Sequence, residues 1–182
     1  MTTYRTADPK APSRLGCLWR YDLPSVQGEG WAIVVLGSDG YFSAVSDYGD
    51  YAHLWYHHGR ADFRQAVVEF SRAPEYVLGK IARKQYDGDA TEKSVRREIL
   101  RMRRANLLAY QEARDEWDRI DEAGGFFYPD GFSKWLEDTC ISDASELACE
   151  CYSAQAMAFA VNTLGRLRDI LQAELAAEKV CP

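Results

Sequence analysis

The first sixty residues show the hydrophobic pattern of short β-strands. Residues 31–36 form an unbroken apolar run of strand length, and residues 41–45 form a second β-prone run. Between these runs, Asp39-Gly40 offers the positive φ angles that a tight hairpin requires. The pattern therefore predicts a small antiparallel meander of three to four strands. The predicted strands are residues 18–21, 31–36, 41–45 and 51–57.

From residue 62 onward, apolar residues recur at helical spacing. Asp62 and Gln65 have the spacing of a capping box, and Pro74 stands where a helix tolerates proline in its first turn. We predict a long helix over residues 91–122, because one mostly apolar stripe recurs there every three or four positions. The stripe consists of Val95, Ile99, Met102, Asn106, Tyr110, Ala113, Trp117 and Ile120.

Three more helical segments follow the glycine pair Gly124-Gly125, which is a typical helix end. A short helix is predicted from Gly131, and another begins where Asp143 and Glu146 again have capping-box spacing. The last helix is predicted over residues 153–178.

Strands followed by helices predict an α+β fold, in which about five helices, two of them long, cover the meander. Residues 1–13 hold two prolines and little apolar content, so we expect a flexible N-terminal arm. Residues 14–182 are predicted to form one α+β domain, with the sheet in residues 14–60 and the helical part in residues 61–182.

Composition narrows the class of protein without naming a function. The chain has 182 residues, of which 47% are apolar and 27% are charged, and its net charge is −6. These values exclude a disordered tail, a coiled-coil rod and a disulfide miniprotein. Because the sequence has no transmembrane-length apolar run, no secretory signal and five irregularly spaced cysteines, we expect a protein of the host-cell cytoplasm with reduced thiols.

Two clusters offer candidate chemistry, and both have a simpler explanation. His53 and His57 fall on one face of the predicted third strand and could bind a metal, but an aromatic and histidine row on a half-exposed sheet explains them better. Cys149 and Cys151 lack the spacing of a zinc site and are better explained as buried thiols. The sequence also contains no phosphate-binding loop and no nucleophile elbow, so we assign no catalytic residue, metal ligand or cofactor.

Charge is strongly segregated along the predicted long helix. Residues 91–110 hold six cations and two anions, whereas residues 111–150 hold three cations and twelve anions. In a single helix this places cations near the N-terminus, which the helix dipole disfavours, so a binding partner is one explanation of the arrangement. The other explanation is an ordinary solvated face whose charges pair across neighbouring helices. The predicted partner-binding residues are Arg96, Arg97, Arg101, Arg103 and Arg104, together with the hairpin aromatics Tyr48, Tyr51 and Trp55.

The segment Ser46-Asp-Tyr-Gly-Asp-Tyr-Ala-His-Leu-Trp55 resembles a segment of a family of small tailed-bacteriophage proteins. The similarity continues through Asp62-Phe-Arg64, Phe132-Ser-Lys-Trp135 and Arg166-Leu-Arg168. The resemblance implies an origin in a phage or prophage and carries over no catalytic residue. By analogy with other small phage proteins, it implies an inhibitor of bacterial defence, such as an anti-CRISPR protein.

These observations lead to one preferred function and two alternatives. The preferred hypothesis is a non-enzymatic phage protein that binds and inhibits a host or bacterial-defence protein. The first alternative is a nucleic-acid-binding protein that uses the same arginines. The second is a metal-dependent or other small enzyme built around His53 and His57. Homo-oligomerisation through the stripe of the long helix is compatible with each of them.

Overall fold

The computed structural model describes residues 16–180, so the predicted arm and Cys181 lie outside the described residues. It confirms the α+β fold, with a four-stranded antiparallel sheet and helices. The chain forms two compact units, which divide at other positions than the predicted boundary near residue 60. Of the described residues, unit 1 comprises 16–83 and 154–180, and unit 2 comprises Lys84–Ser153.

The sheet of unit 1 is a meander whose strands pair in chain order. The strands are β1 (Leu18–Leu23), β2 (Ala32–Gly37), β3 (Tyr41–Ser46) and β4 (Gly49–Leu54). In the β2–β3 turn, the Gly40 N–H donates to Gly37 O at 3.0 Å and only Gly40 adopts a positive φ, of 95°. A Cβ on Gly40 would lie 2.2 Å from the carbonyl oxygen of Trp55, so the turn requires glycine both for conformation and for space.

β4 is shorter than the predicted strand over residues 51–57. It ends at Leu54, and the Trp55 N–H donates to Gly40 O at 2.9 Å where the chain turns away from the sheet. His57 therefore lies outside the strand and is exposed, whereas His53 is half-buried in it. The prediction that the two histidines share one strand face is wrong.

Unit 1 also contains helices, and the first, second and last of them contact the sheet. The helices are α1 (Phe63–Phe70), α2 (Pro74–Ile81), α6 (Ala154–Ala158) and α7 (Leu164–Val180), and a π-helical turn over Phe159–Thr163 links the last two. As predicted, α1 begins after Asp62, whose side chain accepts from the Arg64 N–H, and α2 begins with Pro74. Alternation along the strands buries Val34, Leu36 and Phe42 on the inward side of the sheet.

Among the described residues of unit 1, one charged side chain is buried, that of Arg64, which is 6% exposed. Its two terminal nitrogens donate to the Glu178 carboxylate of α7, each at 2.7 Å, and Nη2 also donates to Asp62 Oδ2 at 2.7 Å. The guanidinium lies over the Trp19 ring of β1, 4.7 Å from its centroid. Arg64 thus ties α1 to β1 and to the end of α7.

Unit 2 contains helices around its own small apolar core. The helices are α3 (Gly88–Arg104), α4 (Tyr110–Glu122) and α5 (Pro129–Asp138), and a two-residue ladder joins β5 (Gln85–Tyr86) to β6 (Glu150–Cys151). Val95 and Ile99 of α3, Ile120 of α4 and Trp135 of α5 are all buried in one cluster with Phe126.

The predicted long helix over residues 91–122 is wrong, because the chain turns between α3 and α4. Asn106 adopts a φ of 56°, the Asn106 N–H donates to Arg103 O, and the Leu107 N–H donates to Met102 O at 2.9 Å. This is a Schellman ending with asparagine at the left-handed position, one of the few residues that tolerate that conformation. After this turn α4 packs against α3, so the two halves of the predicted stripe lie on neighbouring helices of unit 2.

The region after α5 also differs from its prediction. Asp143 adopts a φ of 56° and forms no side-chain cap, and Ala144–Leu147 makes only a 3-10 turn. The loop before this turn is held by Glu116 of α4, which is completely buried. Its carboxylate accepts from the Cys140 N–H at 3.0 Å, from Thr139 Oγ1 at 2.8 Å and from Arg119.

Candidate partner-binding surface

Because α3 ends at Arg104, its dipole favours the cations that the dipole of the predicted long helix would disfavour. Arg101, Arg103 and Arg104 lie in the last turn of α3, where cations interact favourably with the helix dipole. The acidic residues that follow belong to α4, a separate helix. The premise that the helix dipole disfavours the cations is therefore wrong for these three arginines, and their contact with a partner stays a prediction.

The five arginines divide into those with partners and those without. Arg96 donates to Glu92 and Asp121, each at 3.0 Å, and its guanidinium lies over the Trp117 ring at 4.4 Å. Arg101 donates to Glu98 at 2.7 Å from Nε. Arg97, Arg103 and Arg104 form no ion pair and no side-chain hydrogen bond with any residue between 16 and 180.

The exposed cations of α3 form a row along one side of the helix. The spacing of three and four residues places them near one another, on the side opposite the buried Val95 and Ile99. We call this surface the α3 basic row. Its members are Lys93, Arg97, Arg101 and Arg104, all of which are exposed.

A groove beside the α3 basic row separates α3 from α4. The α3–α4 groove has a volume of about 440 Å³. Its walls include the buried Ile99 together with Leu100 and Tyr110, which are 44% and 68% exposed. Charged lining residues come from both helices: Arg103 from α3, and Arg114, Asp118 and Asp121 from α4.

The three aromatic residues predicted to bind a partner lie in unit 1, where each of them is buried or half-buried. Trp55 is 7% exposed and packs edge-on against Phe42. It is therefore a core residue and not the exposed partner contact that the sequence predicts. Tyr51 is half-buried against Phe159, and its hydroxyl donates to Tyr48 O at 2.7 Å. Tyr48 lines a cleft of about 520 Å³ in the same unit.

The candidate chemical residues are held in ordinary structural contacts. The His53 ring meets Trp55 edge-on at 4.5 Å, and burial, with the charge of Lys80, lowers the pKa of His53. A hydrogen bond with Asp87 raises the pKa of the Cys151 thiol. In the part of the chain that the structure describes, no three His, Cys, Asp or Glu side chains are grouped as metal ligands would be.

Sequence reasoning missed Lys93, Leu100 and Tyr110, which complete the row and the groove. The sequence pattern does not distinguish Lys93 and Leu100 from other exposed helix residues, and it places Tyr110 in the apolar stripe of a single helix. The available signal was Asn106, because asparagine within an apolar stripe is also a helix-ending residue.

No helix among residues 16–180 combines the length and the apolar character needed to cross a membrane. Comparison with curated proteins and with solved structures gives no match. A family model, Phage_phiTE_072, described as a phage family, matches residues 18–173, which is most of the chain and includes the whole of unit 2. The chain therefore belongs to this phage family.

Proposed function

We propose that this phage protein binds a bacterial protein, such as a component of a defence system, and inhibits it without catalysing a reaction. The observation that carries the proposal is the α3 basic row. Arg97 and Arg104 project from a helix without an intramolecular partner in the described chain, so their charges are free to pair with carboxylates on another protein.

The surroundings of the row favour a small acidic patch on a protein, rather than a uniformly negative molecule, as its target. Unit 2 holds ten Lys+Arg and sixteen Asp+Glu, so its net charge is −6, whereas the rest of the chain holds twelve of each. A row of cations within an acidic unit attracts a partner in one orientation and repels it in others. Inhibition by occupying a surface needs this complementarity and no catalytic group.

The paired arginines have a smaller role in this proposal. Arg96 already binds two carboxylates and covers Trp117, so its removal would disturb unit 2 itself. Arg101 shares its charge with Glu98 and contributes less than Arg97 and Arg104. The strongest expected contacts are therefore Arg97 and Arg104, with Lys93 beside them.

The test is affinity capture from a nuclease-treated bacterial lysate with two variants of equal charge change. We expect the wild type to retain one protein, Arg97→Glu/Arg104→Glu to lose it, and the control Arg72→Glu/Arg83→Glu to retain it. Arg72 and Arg83 are exposed in unit 1, so the control matches the change without touching α3. Equal capture by both double variants would disprove the role of the row.

Inhibition is tested separately by titrating the phage protein against the activity of the captured protein. A binding inhibitor acts at about one molecule per target at concentrations above Kd, whereas an enzyme inactivates its target at far lower ratios. Inactivation by a small fraction of an equivalent, or no inactivation at saturation, would contradict the proposal.

Nucleic-acid binding is a second candidate, because Arg97, Arg101 and Arg104 follow one another along α3 as phosphate contacts do. The acidic charge of unit 2 disfavours it. This candidate predicts binding to DNA or RNA that falls steeply with salt concentration. Binding to neither nucleic acid at 50 mM salt eliminates it.

A further inference from the structure

We propose that the α3–α4 groove receives the apolar side of an acidic amphipathic helix from the same partner protein. This inference rests on the proposed function and adds the second half of the contact. The α3 basic row supplies charge alone, whereas the groove next to it supplies apolar surface and shape. Both belong to unit 2, and α3 contributes to both.

The groove has the composition of a helix-binding site. Ile99 is buried at its base, Ala113 and Trp117 are half-buried, and Leu100 and Tyr110 are the exposed apolar residues that line it. A cluster of one tryptophan, one tyrosine and two arginines around an apolar base is typical of the residues that dominate binding energy in protein interfaces.

The size of the groove suits a short helix rather than a flat surface. An apolar cavity of about 150 Å³ holds one benzene molecule, so about 440 Å³ accommodates roughly three groups of that size. Two turns of an amphipathic helix present three such side chains, at positions i, i+3 or i+4, and i+7.

The charges around the groove determine the sign of the charge that its occupant must carry. On the α4 side, Asp118 is paired with Arg114 at 3.1 Å and Asp121 is paired with Arg96 at 3.0 Å. On the α3 side, Arg103 has no ion-pair partner among residues 16–180. The uncompensated charge at the groove is therefore positive, and it continues into the α3 basic row. A helix with acidic residues beside its apolar side would satisfy both surfaces at once.

The structure also offers matched positions for a test. Leu100 lines the groove and Leu107, which is 62% exposed in the turn after α3, does not. Arg103 lines the groove, whereas Arg72 is exposed in unit 1 and belongs neither to the groove nor to the α3 basic row. All four side chains are at least partly exposed, so their substitution leaves the core of unit 2 intact.

The experiment selects peptides from a displayed library of randomised 16-residue helices on the full-length protein. We expect the enriched peptides to carry large apolar residues at i, i+4 and i+7 and to be rich in Asp and Glu. Leu100→Ser and Arg103→Glu should each weaken their binding about tenfold or more, while Leu107→Ser and Arg72→Glu change it little. Circular dichroism confirms that all four variants fold.

Three outcomes would overturn the inference. The first is a library that yields no binder or mainly basic peptides, and the second is enriched peptides that bind all four variants equally. The third is sedimentation that shows self-association lost in Leu100→Ser, because the occupant would then be a second copy of this chain.

Failure of this inference is separable from failure of the proposed function. If lysate capture depends on Arg97 and Arg104 but not on Leu100, the proposed function stands and the groove has no part in it. If the wild type captures nothing while the peptides bind as expected, the proposed function fails and the groove remains a helix-binding site.

Discussion

The two units each bury one charged side chain, and they hold it in opposite ways. Arg64 of unit 1 is held by carboxylates whose side chains are 22–56% exposed, on α7 and at the start of α1. Glu116 of unit 2 is held largely by a loop, through the Cys140 N–H and the Thr139 hydroxyl. Exposed side-chain partners can rotate into water when the buried charge is lost, whereas a backbone N–H is fixed in place by the path of its loop. The comparison teaches that the cost of losing a buried charge depends on its partners.

The largest effect is expected from Glu116→Ala. It leaves the Cys140 N–H and the Thr139 hydroxyl without an acceptor, so we expect unit 2 to lose about 3 kcal/mol of unfolding free energy. Urea unfolding measures the loss. Glu137→Ala, an exposed carboxylate on α5, is the control and should change stability by less than about 0.5 kcal/mol. Equal effects of the two would remove the distinction between the units.

A smaller effect is expected from Arg64→Met. Methionine fills much of the space and continues to cover Trp19, while Glu174 and Glu178 return to solvent. We expect a loss of about 1–2 kcal/mol, measured by the same urea unfolding. A loss as large as that of Glu116→Ala would show that exposed partners do not soften the cost.

The Arg64 cluster should also make unit 1 sensitive to acid. Hydrogen bonds from Arg64 lower the pKa of Glu178 below its ordinary value of 4.5. Burial of Asp62 opposes the same effect there, but the bonds from Arg64 prevail and its pKa falls below 3.8. Carboxylates with lowered pKa values stabilise the folded state above their unfolded-state pKa values, and this contribution is lost as pH falls through the folded-state values. The urea midpoint should therefore fall more between pH 7 and pH 3 in the wild type than in Arg64→Met, and parallel pH curves would contradict this.

The smallest effect concerns the turn that separates α3 from α4. Asn106→Gly relieves the cost of a positive φ and should stabilise unit 2 by about 0.5 kcal/mol. Ala105→Gly, one position earlier at a φ of −81°, should instead destabilise it by a similar amount. Thermal unfolding of the two variants distinguishes a real left-handed requirement from a general effect of glycine, which would give both the same sign.

Short-range patterns predicted the four strands of the meander, although they misplaced the end of β4, because a meander is built from neighbours in sequence. The runs at residues 31–36 and 41–45 needed only the turn at Gly40 to become β2 and β3. The C-terminal helix was also found, because apolar residues such as Leu167 and Leu171 keep one spacing through most of it.

Prediction from the sequence failed where one hydrophobic pattern was compatible with two different structures. The stripe through Asn106 keeps helical spacing whether the chain continues straight or turns, so periodicity could not separate one helix from two. Alternation placed Trp55 on one side of the sheet, but it could not say that helices bury that side. The candidate surface was therefore only partly predictable: its arginines were found, and the groove beside them required the turn.

The β5–β6 ladder brings the two ends of unit 2 next to each other. The chain enters unit 2 beside Gln85 and leaves it beside Cys151, and these two residues pair directly across the ladder. Everything between them is an insertion whose ends meet within one strand spacing, about 5 Å. Insertions with adjoining ends can change length and sequence while the host chain keeps its path. Residues 84–153 are thus the segment whose length and sequence can change at least cost to the path of the chain in unit 1.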